Sequence, residues 1–486
     1  MLTVLLFILF VTLFLIYSVK KPTNFPPGPV WLPIIGSSLQ IKKEAKLIRG
    51  GQHVVFNTLC QKWNSNVVGI KLGEQLIVSV SNYSIIKDVL DNEDFLGRTS
   101  NFFSKLRLLG PSPGVTCAEG QIFKIQKKFI LKNLHCGFDA KINDELEDLL
   151  MLINLNQRNI DFGKLVQPAA VNILWSLLSG HRLSRCDPKF QTLLNLLDDR
   201  VRAFDMAGGT LSNYPWLRFI APEGVGYNLI VNLNAKLKNF IMAEINYHHQ
   251  TWSKGMKTDL MYSFITCMNE GNEMSESFTD EQLLMISVDL FIAGAHSAGS
   301  TLDFVCLLML LYPQVQRKVQ AIVDKEFPNN CTITYSDQHK VPYIQAVIYE
   351  VIRFCHVLPM GGPRRALRDT VIDGYAVPKD TTVLLNLYSV MTSKEIWGDP
   401  ENFRPERFIV DGNLHVIKEF IPFGIGRRRC LGESLARKFL FVFTTGLLRK
   451  YDMLPEDGVP LPPAVLVPGI VCHPKPYKVR FVPRKL

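Results

Sequence analysis

The sequence predicts a mainly α-helical single domain with small antiparallel β-sheets, tethered behind one N-terminal membrane-spanning helix. Three observations carry that prediction. Leu2–Val19 is apolar except for Thr3, Thr12 and Ser18; residues 281–312 lack proline and are apolar on nearly every face; strand-like alternation is confined to residues 67–80 and 370–386. The 486 residues are 47% apolar and 20% charged, which excludes disorder, collagen and a disulfide scaffold. A polytopic transporter needs many apolar runs of about 20 residues. Only the N-terminal segment supplies one.

As a helix rising about 1.5 Å per residue, that segment is just long enough to cross hydrocarbon. Lys20 and Lys21 follow at once. A cleavable secretory peptide carries its positive charge before the apolar run and small residues at its cleavage site; here the charge comes after, and Tyr17-Ser18 makes a poor site. Positive charge on that side keeps the rest of the chain cytoplasmic, so the sequons at Asn82 and Asn330 are expected to go unglycosylated. Pro22, Pro26, Pro27, Pro29 and Pro33 cannot continue the helix and favour a semi-rigid connector. The expected division is an anchor over 1–20, a proline-rich hinge over 21–36, and one body over 37–486 without repeat, low-complexity tract or second linker.

Within the body, residues 67–80 turn at Gly73-Glu74. Residues 214–222 (Tyr-Pro-Trp-Leu-Arg-Phe-Ile-Ala-Pro) cluster aromatics between prolines and read either as a dip into a bilayer surface or as a buried loop. Residues 281–312 are expected to form a long helix through the centre. Residues 343–354 place Ile344, Val347, Ile348, Val351 and Ile352 at the spacing of a helix packed on one side. Residues 370–386 turn at Asp373-Gly374 and again at Pro378-Lys379-Asp380, a second small antiparallel sheet.

Basic residues number 54 and acidic residues 44, a charge of +10 that suits nucleic acid, an anionic membrane surface or an acidic protein without choosing among them. Ten cysteines show no close spacing of the zinc or dithiol kind, so the expected compartment is reducing and a cysteine with chemistry acts alone. Residues 422–433 read Pro-Phe-Gly-Ile-Gly-Arg-Arg-Arg-Cys-Leu-Gly-Glu. Gly424 and Gly426 allow a tight turn and close approach to a flat partner, and Cys430 precedes an amphipathic helix expected over 431–448. Free N–H groups at that helix start would lower the thiol pKa and hydrogen-bond its sulfur, making Cys430 a candidate metal ligand. The arginines around it would neutralise carboxylates of a bound group. A dinucleotide loop is rejected, because Arg429 stands where the third glycine belongs and no strand-turn-helix precedes it.

Phe423, Gly426, Arg428, Cys430 and Gly432 at these offsets resemble the haem-binding loop of the cytochrome P450 family. Three further matches follow the family's order. Glu350 and Arg353 resemble its Glu-x-x-Arg pair; Phe403-Arg404-Pro405-Glu406-Arg407-Phe408 resembles the segment whose arginine, here Arg407, completes a buried triad; and the proline hinge resembles the microsomal branch, whose insect members the sequence resembles along its length. The resemblance covers essentially the whole chain. It implies the cytochrome P450 fold, haem b with Cys430 as axial thiolate pushing electron density onto iron, Phe423 packed beside that thiolate, and Arg428 and Arg364 paired with haem propionates. Where the family has Trp-x-x-x-Arg on the helix after Gly120, this chain has Phe123 and Lys127, so Lys127 would bring charge to a propionate without the guanidinium fork.

The central segment departs further, reading Ala293-Gly294-Ala295-His296-Ser297-Ala298 where the family has an acid at position 296 and threonine at 297. Gly294 would leave room for oxygen beside the haem, Ser297 keeps a hydroxyl, and His296 can titrate near neutrality, so a modified proton relay is expected there. By resemblance, the function is monooxygenation of an apolar, lipid-like or foreign small molecule. Electrons would come from NADPH through cytochrome P450 reductase, with cytochrome b5 as an additional donor, and nucleic acid is not a partner. The altered triplet keeps two alternatives open, a haem-thiolate isomerase, dehydratase or lyase and a non-catalytic haem carrier or sensor. The implied location is the endoplasmic reticulum membrane, single-pass, body in the cytoplasm. The pocket is expected around residues 102–109, 204–211, 291–295, 357–360 and 470–471, which are largely apolar.

Overall fold

The computed structural model describes residues 2–48, 50–134, 137–156, 158–203, 210–270, 277–327 and 331–485. Its axis is the helix Asp280–Leu311, capped at its start by the Thr279 side chain, which accepts from the Gln282 N–H. Around this central helix pack Phe162–Ser179, Pro188–Ala203, Tyr227–Thr251, Pro342–Cys355 and Glu433–Lys450, Phe138–Asn156 lies against the first and last of these, and one large apolar core joins them. The contact with Phe162–Ser179 is the tightest: a Cβ on Gly294 would lie 2.9 Å from a Leu174 methyl. The central helix is apolar all round because neighbours cover it on most sides.

The strands are β1 (Val67–Leu72), β2 (Gln75–Val80), β3 (Arg364–Arg365), β4 (Thr370–Ile372), β5 (Tyr375–Val377) and β6 (Thr382–Leu385). Hairpin β1–β2 closes with Leu72 opposite Gln75, and β4–β5 with Ile372 opposite Tyr375 across Asp373 and Gly374, both at positive φ. The expected second antiparallel sheet stops there. After the turn at 378–380, β6 pairs parallel with β2, Ile77 opposite Thr382, and antiparallel with β3, giving one mixed sheet of order β1-β2-β6-β3. Val383, Leu384 and Leu385 are all buried, so β6 is covered on both faces and takes an interior place in the sheet. Alternation in the sequence cannot name such a partner.

No residue of the helix Leu2–Val19 is buried, whereas the connector after it is docked on the body. The Gly69 N–H donates to the Pro27 carbonyl at 2.8 Å, Lys71 Nζ donates to the Ser18 carbonyl at 2.8 Å, and the buried Trp31 ring lies 5.6 Å from Lys21 Nζ and 5.5 Å from Lys71 Nζ. The N-terminal helix therefore leaves from a fixed point beside β1. Residues Pro215–Phe219 form a short 3₁₀ turn with Trp216, Phe219 and Ile220 more than half exposed, which decides against the buried-loop reading. Asn82 caps the helix Tyr83–Asp91, accepting from the Ser84 N–H at 2.9 Å; Asn330 lies outside the described residues.

Candidate active site

The cysteine loop is set by two backbone devices. Gly426 has a φ of 72°, and a Cβ there would lie 2.7 Å from the Leu90 carbonyl oxygen, so glycine is required by the helix Tyr83–Asp91 beneath the loop. The Cys430 N–H donates to the Phe423 carbonyl at 2.9 Å, closing the loop just before the helix Glu433–Lys450, which starts two residues later than expected with Gly432 as its N-cap. Cβ atoms on Gly424 and Gly432 would meet nothing within 4 Å, so these two border open space that a flat group can fill.

The Cys430 thiol is solvent-accessible yet ringed by protein atoms. Desolvation raises its pKa, while the N–H groups of Gly432 and Glu433 bond the sulfur and pull the other way. The expected net lowering by the helix start is therefore corrected. In the protein alone the pocket wins over the dipole, and a positive metal is what would favour the thiolate there. Beside it, Arg429 and Arg437 both bind the Glu433 carboxylate, at 2.6 and 2.8 Å, and the Phe423 ring lies 5.2 Å from the Arg437 guanidinium.

Three arginines converge nearby. Arg428 donates through Nη2 to the Leu96 and Ala118 carbonyls at 3.0 and 2.7 Å and stacks 3.7 Å from the Phe123 ring centre. Arg364, placed by β3, is only 5% exposed. Arg98, which no local pattern in the sequence marks, donates to the Pro363 carbonyl at 2.9 Å. Among the described residues, Nε of all three and Nη1 of Arg364 and Arg428 are buried without a hydrogen-bond partner. Burial and then mutual repulsion pull Arg364 down to about 9 and Arg428 to about 10. A cluster of like charges with unsatisfied N–H groups is built for an anion, and the two carboxylates of haem b meet that demand.

Lys127 does not join them as expected. Its Nζ donates to the Arg427 carbonyl at 2.7 Å, and Phe123, standing where the family has tryptophan, serves as the face on which Arg428 lies.

Behind the loop the structure brings Glu350, Arg353 and Arg407 together. Glu350 and Arg353 are fully buried and joined by two bonds of 2.8 Å, and Arg407 Nε lies 3.0 Å from the same carboxylate. Arg353 also donates to the Met391 carbonyl and Arg407 to the Trp397 carbonyl, while the Arg404 N–H donates to Glu350.

On the central helix the accessible face is narrower than expected. Ala293 is exposed and Ser297, one turn on, is partly so, with its Oγ donating to the Ala293 carbonyl at 2.8 Å. Phe291 and Ala295 are fully buried, Phe291 stacking on Trp175, so they belong to the core. Gly294 serves the helix contact with Leu174. His296 turns to the flank: its Nε2 lies 3.0 Å from Asp198 Oδ1 and 3.0 Å from the Gln167 amide. Of the other expected pocket segments, 357–360 and 470–471 are brought together by the Cys472 N–H donating to the Val357 carbonyl at 2.8 Å, and 204–209 lie outside the described residues.

The cytochrome P450 family model matches residues 26–481. A probable cytochrome P450 305a1 of Drosophila melanogaster is 38% identical, covering 98% of this chain and 97% of its own length. A farnesoate epoxidase of Bombyx mori is 32% identical over 100% and 98%, and cytochrome P450 2J5 of Mus musculus 30% over 99% and 96%. The ranges matched take in cysteine loop, triad and central helix, and the chain thus belongs to the cytochrome P450 family, the haem-thiolate monooxygenases.

Proposed function

We propose that this chain is a membrane-anchored monooxygenase that inserts one oxygen atom into an apolar, lipid-like or foreign small molecule by hydroxylation or epoxidation. Electrons come from NADPH through a separate reductase, with cytochrome b5 as an additional donor. Haem with a thiolate ligand supplies the electron-rich iron that activates dioxygen. Cys430 provides that thiolate, its sulfur held by the Gly432 and Glu433 N–H groups, and Phe423 covers it. Arg364 and Arg428, joined by Arg98, bind the two propionates with N–H groups that have no other partner among the described residues. Lys127 adds positive charge at the edge of this group rather than a direct contact. Glu350, Arg353 and Arg407 hold the wall behind the loop.

On the central helix Ala293 and Ser297 form the accessible face, and the Ser297 hydroxyl can exchange its bond to the Ala293 carbonyl for one to a water, holding a proton donor at that face. The apolar segments 357–360 and 470–471 and the farnesoate epoxidase among the relatives support an apolar substrate and epoxidation as one outcome. The exposed apolar helix Leu2–Val19, fixed at Ser18, and the exposed Trp216 and Phe219 support attachment to the endoplasmic reticulum membrane with the body in the cytoplasm.

The observation that carries this reading is the accessible thiol of Cys430 beside open space and a set of buried, unsatisfied guanidinium groups. Cys430→Ser should abolish the red-shifted Soret band of the reduced, carbon-monoxide-bound protein, because the thiolate supplies the electron push that moves it. An unchanged band in that variant sinks the assignment of Cys430.

A further inference from the structure

Gln167, Asp198 and His296 meet where three helices touch, and the chemistry assigned above uses none of them. Asp198 comes from Pro188–Ala203, Gln167 from Phe162–Ser179 and His296 from the central helix. Gln167 Nε2 donates to Asp198 Oδ1 at 2.6 Å, and both stand 3.0 Å from His296 Nε2, so one carboxylate oxygen is shared by an amide and an imidazole. The group lies at a boundary: the Asp198 side chain is 37% exposed and that of His296 14%. Burial raises the Asp198 carboxyl, and hydrogen bonds from His296 and Gln167 outweigh it, leaving its pKa below the usual value and the group charged. His296 follows Ala293 by three positions and precedes Ser297 by one, so the polar group borders the accessible face of the central helix.

We propose that Asp198 is a positioning residue for the monooxygenase reaction: with Gln167 it forms a polar clasp on His296 that holds helix Pro188–Ala203 against the central helix and keeps bulk water from the face carrying Ala293 and Ser297. Three points support it. The same helix reaches over the pocket segment 102–109, where Arg200 donates to the Arg107 carbonyl, so its seating sets how far that side opens. Around His296 the flank is packed with Leu174, Trp175 and Phe291, and a polar tie fixes register there as apolar packing does not. The clasp also turns the imidazole away from the face carrying Ala293 and Ser297, which leaves the Ser297 hydroxyl to hold water there.

The inference rests on haem occupying the space beneath that face, and the test separates the two. Imidazole, which ligates ferric haem and shifts its Soret band, is mixed with the full-length protein, and association and release are timed without turnover. Asp198→Ala should speed both by about two- to five-fold, the range that loss of a partly exposed ion pair supports, and raise hydrogen peroxide released per NADPH oxidised by a similar factor. Asp198→Asn, which keeps a hydrogen bond and removes the charge, should fall between. The exchange Asp198→His with His296→Asp rebuilds the pair in reverse and should return both readouts towards wild type, which a merely local packing role would not predict. Unchanged imidazole kinetics in Asp198→Ala, or an exchange variant with an intact carbon monoxide band and no recovery, overturns the clasp. If wild-type protein shows no Soret shift with imidazole, the haem reading falls first and the clasp with it.

Discussion

Two groups of buried charge flank the cysteine loop, and they differ in one respect. In the triad of Glu350, Arg353 and Arg407 the carboxylate faces both guanidinium groups, and the surplus N–H groups find the carbonyls of Met391 and Trp397. In the trio of Arg98, Arg364 and Arg428 there is no carboxylate between the arginines, and five buried N–H positions lack a partner among the described residues. Burying a charge is tolerated when it is paired and hydrogen-bonded. The triad meets that condition within the chain and is scaffold; the trio meets it only when an anion arrives and is a binding site. Satisfaction, more than burial or charge, tells the two apart.

The largest way to break this contrast is to unpair the triad. Glu350→Ala leaves two guanidinium groups buried without their carboxylate, a change expected to cost about 3–5 kcal/mol. Urea unfolding should show the loss, together with failure to form the red-shifted carbon monoxide band. A variant with wild-type stability would mean the triad is no scaffold.

For the trio the expected effect is smaller and of opposite sense. Arg364→Met with Arg428→Met removes charges that repel each other in the haem-free chain, so the apoprotein should be no less stable, while haem is lost several times faster to a scavenging globin. A pH dependence follows from the burial of these groups and, after it, from the same repulsion. Both guanidinium groups have folded values below their ordinary range, about 9 for Arg364 and about 10 for Arg428, so the unfolded state binds more protons above those values. Apoprotein stability should therefore rise as pH climbs from 8 towards 10, the penalty being fully present below the folded values. Bound carboxylates would pair the buried charges and offset both effects, so the slope should shrink in the haem-loaded protein. Thermal unfolding of both forms across that range checks the sign.

What the sequence made legible follows the same line. Glu350 and Arg353 are one helical turn apart, and Cys430 sits in a short run of glycines and arginines, so local spacing exposes both. The central helix shows through its long apolar run without proline. Arg98 and Asp198 leave no such trace. Asp198 is 98 residues from His296, and the Arg98 side chain reaches the Pro363 carbonyl across 265 residues. Neither separation produces a period that a sequence window can detect. The same limit hid the parallel pairing of β6 with β2 and the diversion of Lys127 to the Arg427 carbonyl. At Cys430 the helix start that bonds the sulfur is visible in sequence, and the desolvating pocket that outweighs it is not.

The smallest expected effect lies on the outer side of the helix Gly120–Asn133, and it sharpens the contrast by asking what exposed, unpaired charge does. Basic residues near the cysteine loop could meet an acidic reductase surface, yet on the helix Glu433–Lys450 Arg437 is tied to Glu433 and Tyr349, and Lys438 to Asp139, so these serve the fold. Lys128 and Lys132 are exposed, and neither forms a salt bridge among the described residues. Charges of this kind contribute little to stability and act on encounter rates through a field screened by salt. Reversing both to glutamate should leave the unfolding midpoint and the carbon monoxide band unchanged and slow reductase-supported turnover several-fold at low ionic strength, the deficit shrinking as salt is added. Peroxide-supported turnover needs no partner and should not move. Equal losses in the two assays would place the effect in folding and remove the proximal lysines from electron delivery.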